Sequence, residues 1–234
     1  MRAYKSSRPV SSAATFFAVL GAFAFTVCLF LGLFWWYGRD YALVSPDKTY
    51  YFLVRDCEDT TASAVAGQIY LQGGAGYLLE TAGESAVVLS CYFSERDAER
   101  VKTTMDEKGV ETRVLVLSTE DFSLDGSAAA LKSAVSANIN TAESCARILY
   151  DAANGLERTE LSQEEARAAV RGVVKSLKGL RIGNGENFAQ WNYALTQAER
   201  RGTEIAEGIL FAKDLRYLQV QLCLDIVRAD EYFG

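Results

Sequence analysis

Residues 85–116 read SAVVLSCYFSERDAERVKTTMDEKGVETRVLV. An apolar run, ESAVVLSCYF (84–93), has the β-branched and aromatic content of a buried strand. Ser94 then stands where a helix N-cap belongs, with Glu95 and Asp97 at the positive end of that helix. Ala98, Val101 and Met105 recur at helical spacing, Lys108-Gly109 stops the helix, and VETRVLVL (110–117) is a second strand. The same order occurs 36 residues earlier: Phe52-Leu53-Val54 aligns with Val88-Leu89-Ser90, Ala62 with Ala98, Val65 with Val101, Ile69 with Met105 and Gly73 with Gly109. That earlier half comprises the strand YYFLVRDC, a helix capped by Thr60 or Thr61, the stop Gly73-Gly74 and the strand YLLETA. Two βαβ units in tandem predict an α+β fold, a ferredoxin-like βαββαβ sandwich over residues 50–118. Its antiparallel sheet runs in the order 4-1-3-2, with both helices on one face.

The stretch 85–116 resembles the SPOR family, the sporulation-related repeat of bacterial envelope proteins. Cys91-Tyr92-Phe93-Ser94 with Asp97-Ala98 occupies the place of the family's Gly-x-Phe-Ser and helix alanine. The first half departs: Leu53 and Arg55 stand where the family has an exposed glutamine and a glycine. The resemblance implies binding of peptidoglycan glycan strands across the sheet face opposite the helices, in cell division or sporulation. The alternative is a non-enzymatic envelope scaffold whose sheet and helical tail bind other proteins.

Strand alternation assigns that face. With Phe52, Val54, Val88, Val114 and Val116 toward the helices, the other face carries Leu53, Arg55, Leu89, Cys91, Arg113, Leu115 and Leu117, joined by Tyr77 and Leu79. Glycan binding would use Tyr77 for stacking and Arg55 or Arg113 for hydrogen bonds. The face is apolar for an open sheet, so cover by protein, either the chain's own helices or a partner, is the preferred expectation.

Upstream, Pro9 to Gly38 contains no charged residue, and Ala13–Tyr37 is long enough to cross a bilayer. Arg2, Lys5 and Arg8 precede it, and Trp35, Trp36 and Tyr37 end it. The expectation is a single-pass protein of the cell membrane: residues 1–12 cytoplasmic, 13–37 spanning, 38–49 a stem, and everything beyond on the extracytoplasmic side. Past the run, 30 acids face 21 bases, and the whole chain carries −6. An acidic chain offers nucleic acid no cationic surface.

After Ser118 the pattern turns helical, giving a helical bundle or coiled coil over 119–234. Leu131, Val135, Ile139, Ala142, Ala146, Leu149, Ala153 and Leu156 make a heptad seam. A second helix follows the capping box Ser162/Glu165, and a third stretch from Phe188 to Ile226 is long enough for one helix of about 40 residues, which Gly202 and Gly208 could bend. The three either close on themselves or form an arm that dimerises or holds a protein partner.

The chain has no histidine, which excludes Ser-His and Cys-His chemistry and His-metal sites. The five cysteines, at 28, 57, 91, 145 and 223, form no C-x-x-C pair. With the first and third strands read as parallel neighbours, Cys57 and Cys91 could form a disulfide; two buried thiols are the plainer account. The carboxylate clusters Glu95/Asp97/Glu99, Glu164-Glu165 and Asp230-Glu231 read as caps and solvated faces. Gly73-Gly74-Ala75-Gly76 precedes a strand and lacks the geometry of a phosphate loop. No enzyme, metal or cofactor is expected.

Overall fold

A computed structural model describes residues 42–81, 84–124, 129–183 and 188–233. The elements in chain order are β1 (Ala42–Val44), β2 (Thr49–Cys57), α1 (Asp59–Leu71), β3 (Tyr77–Thr81), β4 (Glu84–Tyr92), α2 (Glu95–Glu107), β5 (Arg113–Ser118) and β6 (Phe122–Leu124). Five helices follow: α3 (Ala129–Glu157), α4 (Gln163–Gly179), α5 (Ala189–Glu207), α6 (Ala212–Val227) and α7 (Ala229–Phe233).

The central sheet has the order β3-β4-β2-β5, with every neighbouring pair antiparallel. The two halves of the repeat end their helices alike. Gly73 (φ +99°) and Gly109 (φ +74°) take the left-handed conformation. In each, the next N–H reaches back to the helix, Gly74 to the Ile69 carbonyl and Val110 to the Met105 carbonyl, both at 3.0 Å. Glycine is needed there because an L side chain resists that φ. The helix starts are plainer than the sequence suggests. Glu58, not a threonine, holds the cap position of α1, and Ser94 caps α2 by position without a side-chain hydrogen bond.

Both helices lie on one sheet face. Leu53, Val87, Leu89 and Val114 meet Val65, Ala66 and Ile69 of α1 and Ala98, Val101 and Met105 of α2. The opposite face carries Tyr50, Phe52, Val54, Leu79, Val88, Cys91, Leu115 and Leu117, continuous with the core of the C-terminal helices. Helix α6 lies against β3 and β4, and its buried Gln219 donates to the Cys91 carbonyl at 2.9 Å. The small ribbon β1–β6 joins this core through Val44, Phe122 and Leu124, and Phe122 stacks on Phe233 at 5.5 Å. Lys48 pairs with Glu143 of α3 at 2.6 Å. Partial burial alone would push the Glu143 carboxyl up; the hydrogen bonds and charges of Lys48 and Arg147 outweigh it and hold the group below its ordinary value.

The fold class expected from the sequence is therefore corrected. Instead of a sandwich followed by a separate all-α bundle, the described residues make one mixed α/β body with seven helices and a core shared by the sheet and the C-terminal helices. No helix of the described residues is long and apolar enough to cross a membrane, and the run Ala13–Tyr37 lies outside them.

The single third helix is also corrected: it breaks at Gly208, and a second break at Arg228 lies just past its expected end. The backbone of Gly208 is extended (φ −91°, ψ −162°), Leu210 turns fully inward, and Arg228 ends α6. Arg167 of α4 stabilises the first break, donating to the carbonyls of Ala206 (3.0 Å) and Gly208 (3.3 Å) that α5 leaves unpaired. Asp214 accepts the Phe211 N–H at 3.2 Å and starts α6. The capping box Ser162/Glu165 is formed in full.

The cysteine geometry changes too. Since β2 and β4 are antiparallel, Cys57 lies opposite Ser85 while Cys91 lies opposite Phe52, at opposite ends of the pair. Both are free thiols, as are Cys145 and Cys223.

Candidate functional site

The sheet residues expected to bind glycan or a partner do not share one face. Tyr77, Cys91 and Leu115 lie under the C-terminal helices, where Tyr77 packs its ring against Tyr217 at 5.1 Å. Leu53 and Leu89 point the other way, under α1 and α2. Arg113 binds Asp56 through its Nε at 2.8 and 3.0 Å. Arg55 is exposed and lines a cleft on the α1/α2 side.

A β-bulge divides them. The β2–β4 register passes from Leu53 opposite Ser90 to Val54 opposite Val88, leaving Leu89 without a partner. One extra residue reverses the alternation beyond it, so Val88 and Cys91, three apart, face the same way.

The cleft opens between α1 and α2 and encloses about 420 Å³. Its floor is Leu53, Ile69 and Leu89, and Val101, Met105 and Val110 form an apolar wall. The ends of α3 and α6 close the other side with Tyr150, Asn154, Glu157, Arg158 and Arg216. Tyr92 sits at the base, edge-on to Tyr150 at 6.1 Å. Burial pushes the Tyr92 phenol up, against the opposing effect of its Ser90 hydrogen bond and of Arg216.

Charge gathers around the mouth. Among the described residues five cations line it, Arg55, Arg100, Lys108, Arg158 and Arg216, against one acid, Glu157, in a chain whose net charge is −6. Glu157 is taken by Arg216, which also donates to the Gly73 carbonyl at 2.9 Å, and Arg100 pairs with Asp97 at 2.9 Å. Arg55, Lys108 and Arg158 form no ion pair among the described residues. Lys108 and Arg158 stand just past the C-terminal ends of α2 and α3, where helix dipoles favour cations. Arg55 has no such local reason.

A second, shallower recess of about 540 Å³ lies among α5, α6 and α7, lined by Gln190, Tyr193, Gln197, Gln221, Asp225 and Tyr232. Tyr232 donates to Asp225 at 3.1 Å, and the other Asp225 oxygen is buried without a hydrogen bond among the described residues. Burial pushes this carboxyl up to about 6, against the Tyr232 hydrogen bond and the charge of Arg228.

In chemical terms the cleft can hold and orient an anion. Its one carboxylate is occupied, and no side chain there is paired as nucleophile with base. Among the described residues no group of three His, Cys, Asp or Glu side chains could hold a metal ion. The chain matches no protein-family model, no curated protein and no solved structure.

Of this site, the sequence pointed only to Arg55 and to the floor residues Leu53 and Leu89, assigned there to the opposite face. Arg100, Lys108, Arg158 and Arg216 come from four places more than 100 residues apart end to end. The one available signal was Lys108 beside the helix-ending Gly109.

Proposed function

We propose that this chain is a non-catalytic binding module that takes an anionic ligand in the cleft between α1 and α2. The observation that carries the reading is the set Arg55, Lys108 and Arg158, without acidic partners among the described residues, around an apolar floor. Such an arrangement offers charge-assisted hydrogen bonds to an incoming anion in partial shelter from water. The face on which the SPOR-like resemblance would lay a glycan is filled by the chain's own helices. That filling supports a ligand on the helix side of the sheet.

Calorimetry of the full chain with phosphate, pyrophosphate and citrate tests the reading. At least one should bind, and the double variant Arg55→Glu/Lys108→Glu should weaken it about tenfold or more while melting like the parent. Absence of binding by all three anions, or unchanged binding by the variant, overturns it.

A second reading takes peptidoglycan glycan as the anion. The SPOR-like stretch 85–116 supplies Arg100 and Lys108 to the rim, and glycan strands stripped of their peptides carry a free carboxylate on alternate sugars. Purified sacculi should then retain the full chain but not the double variant. The basic start and the uncharged run of residues 9–38 support a place outside a membrane. A reporter active only outside the membrane, fused at Gly234, tests it by its activity; a silent fusion refutes it.

A further inference from the structure

The same cleft carries a narrower conclusion, which rests on the anion-binding reading. We infer that its ligand is a phosphate monoester with an apolar body, an alkyl phosphate in chemical class. Two observations combine. With Arg100 paired to Asp97 and Arg216 to Glu157, three positive charges remain at the mouth among the described residues, more than one carboxylate can balance, whereas a phosphate monoester brings close to two negative charges and three acceptor oxygens. Arg55, Lys108 and Arg158 are the groups without an acidic partner among the described residues, and Arg216 already holds a bidentate contact with Glu157 that fixes the rear of the site.

The second observation is the wall. Val101, Met105 and Val110 are only partly covered by the protein and stand beside the buried Leu53 and Leu89. A simple inorganic anion would leave this apolar surface in water. A ligand whose methylene groups lie along Met105 while its phosphate meets the rim satisfies both halves at once. The volume of about 420 Å³ falls in the range of ordinary small-ligand sites and admits such a molecule. The unoccupied alternative, in which Lys108 and Arg158 serve only their helix dipoles, gives Arg55 no task and leaves the wall unexplained.

The experiment compares inorganic phosphate with hexyl phosphate by calorimetry on the full chain, and adds vesicles of phosphatidylcholine with and without phosphatidic acid. Hexyl phosphate should bind about tenfold or more tightly than inorganic phosphate, since burying two methylenes suffices for that ratio. Met105→Asn should remove most of this advantage and leave inorganic phosphate unaffected. Arg55→Ala with Lys108→Ala should weaken both. Vesicle binding that requires phosphatidic acid and is lost in the Arg55/Lys108 variant identifies a lipid headgroup as the source. Hexyl phosphate binding without vesicle binding identifies a soluble monoester. Equal affinity for the two phosphates overturns the inference while leaving the anion reading standing. Failure of both phosphates, together with failure of pyrophosphate and citrate, overturns the two together.

Discussion

Cutting the chain after Leu124 separates the ferredoxin-like part from the helices that cover its second face. Residues 42–124 would retain β1 to β6 and both sandwich helices. They would expose Phe52, Val54, Leu79, Val88, Leu115 and Leu117, with Tyr50 and Cys91 beside them. Fully burying one such large aliphatic or aromatic side chain is worth about 1.5–3 kcal/mol. Phe52, Val54, Leu79 and Val88 are almost completely buried, and Leu115 and Leu117 count for about half. Together they give roughly 8–15 kcal/mol, and somewhat less because unfolded chains already hide part of this area. That equals the whole stability of an ordinary domain, about 5–15 kcal/mol. The cut also removes the Gln219 donor from the Cys91 carbonyl and Glu143 from Lys48. The fragment is therefore expected to lack a cooperative thermal transition, to bind a hydrophobic dye and to associate in sedimentation. The chain from 42 to 234 should melt in one step. A monomeric 42–124 fragment that melts cooperatively and binds no dye would refute the shared core, and would free the second face for the glycan contact expected from the resemblance.

Two further outcomes follow from single side chains. Burial pushes the Asp225 carboxyl up to about 6 in the folded chain, above the ordinary 3.8, so the folded state holds its proton more tightly than the unfolded one. The cost of ionising it is fully present above pH 6 and is relieved as pH falls from there toward 3.8; Asp225→Asn should raise the melting temperature at pH 8, by up to about 3 kcal/mol in stability, and much less at pH 4. A difference independent of pH would contradict this. Gly76 has φ +63°, and a Cβ there would stand 2.5 Å from the Ala66 carbonyl oxygen, whereas a Cβ at Gly73 (φ +99°) meets nothing within 4 Å. Urea unfolding should show Gly76→Ala costing more than Gly73→Ala, by about 1–3 kcal/mol against about 1 kcal/mol; equal losses would refute the steric argument.

Much of the backbone was legible because local rules suffice for it. The 36-residue offset placed Gly73 and Gly109, and the structure gives both the same left-handed helix stop. Ala62 and Ala98 are both buried, because small residues let the helices approach the sheet. The seam of α3 is buried at Val135, Ile139, Ala142, Ala146, Leu149 and Ala153, as the heptad spacing requires. Gly208 stood out in the sequence as a bend, but the complete break there was harder to see. It depends on Arg167, 41 residues away, supplying donors to the carbonyls that a continuous helix would have satisfied itself.

The sheet faces were illegible for a different reason. Alternation reveals a face only when one side is polar, and here Leu53 and Leu89 are as apolar as Phe52 and Val88 because protein covers both sides. With no contrast to anchor it, the parity rested on a guess at one strand, and the bulge at Leu89 then reversed it within β4. The candidate site inherits this difficulty. Its floor uses the face that alternation assigned to the opposite side, and its rim draws Arg55 from a strand, Lys108 and Arg158 from two helix ends and Arg216 from the second turn of α6. Each of these cations has a bland local context. Only the tertiary fold shows that their charges converge, three of them without an acidic partner among the described residues, and convergence is what separates a binding site from a solvated surface. The Arg55→Glu/Lys108→Glu variant tests that convergence: it reverses two charges that share no local role, and if the fold brings them to one ligand, anion affinity falls with folding intact, and by more than when two cations away from the cleft are reversed.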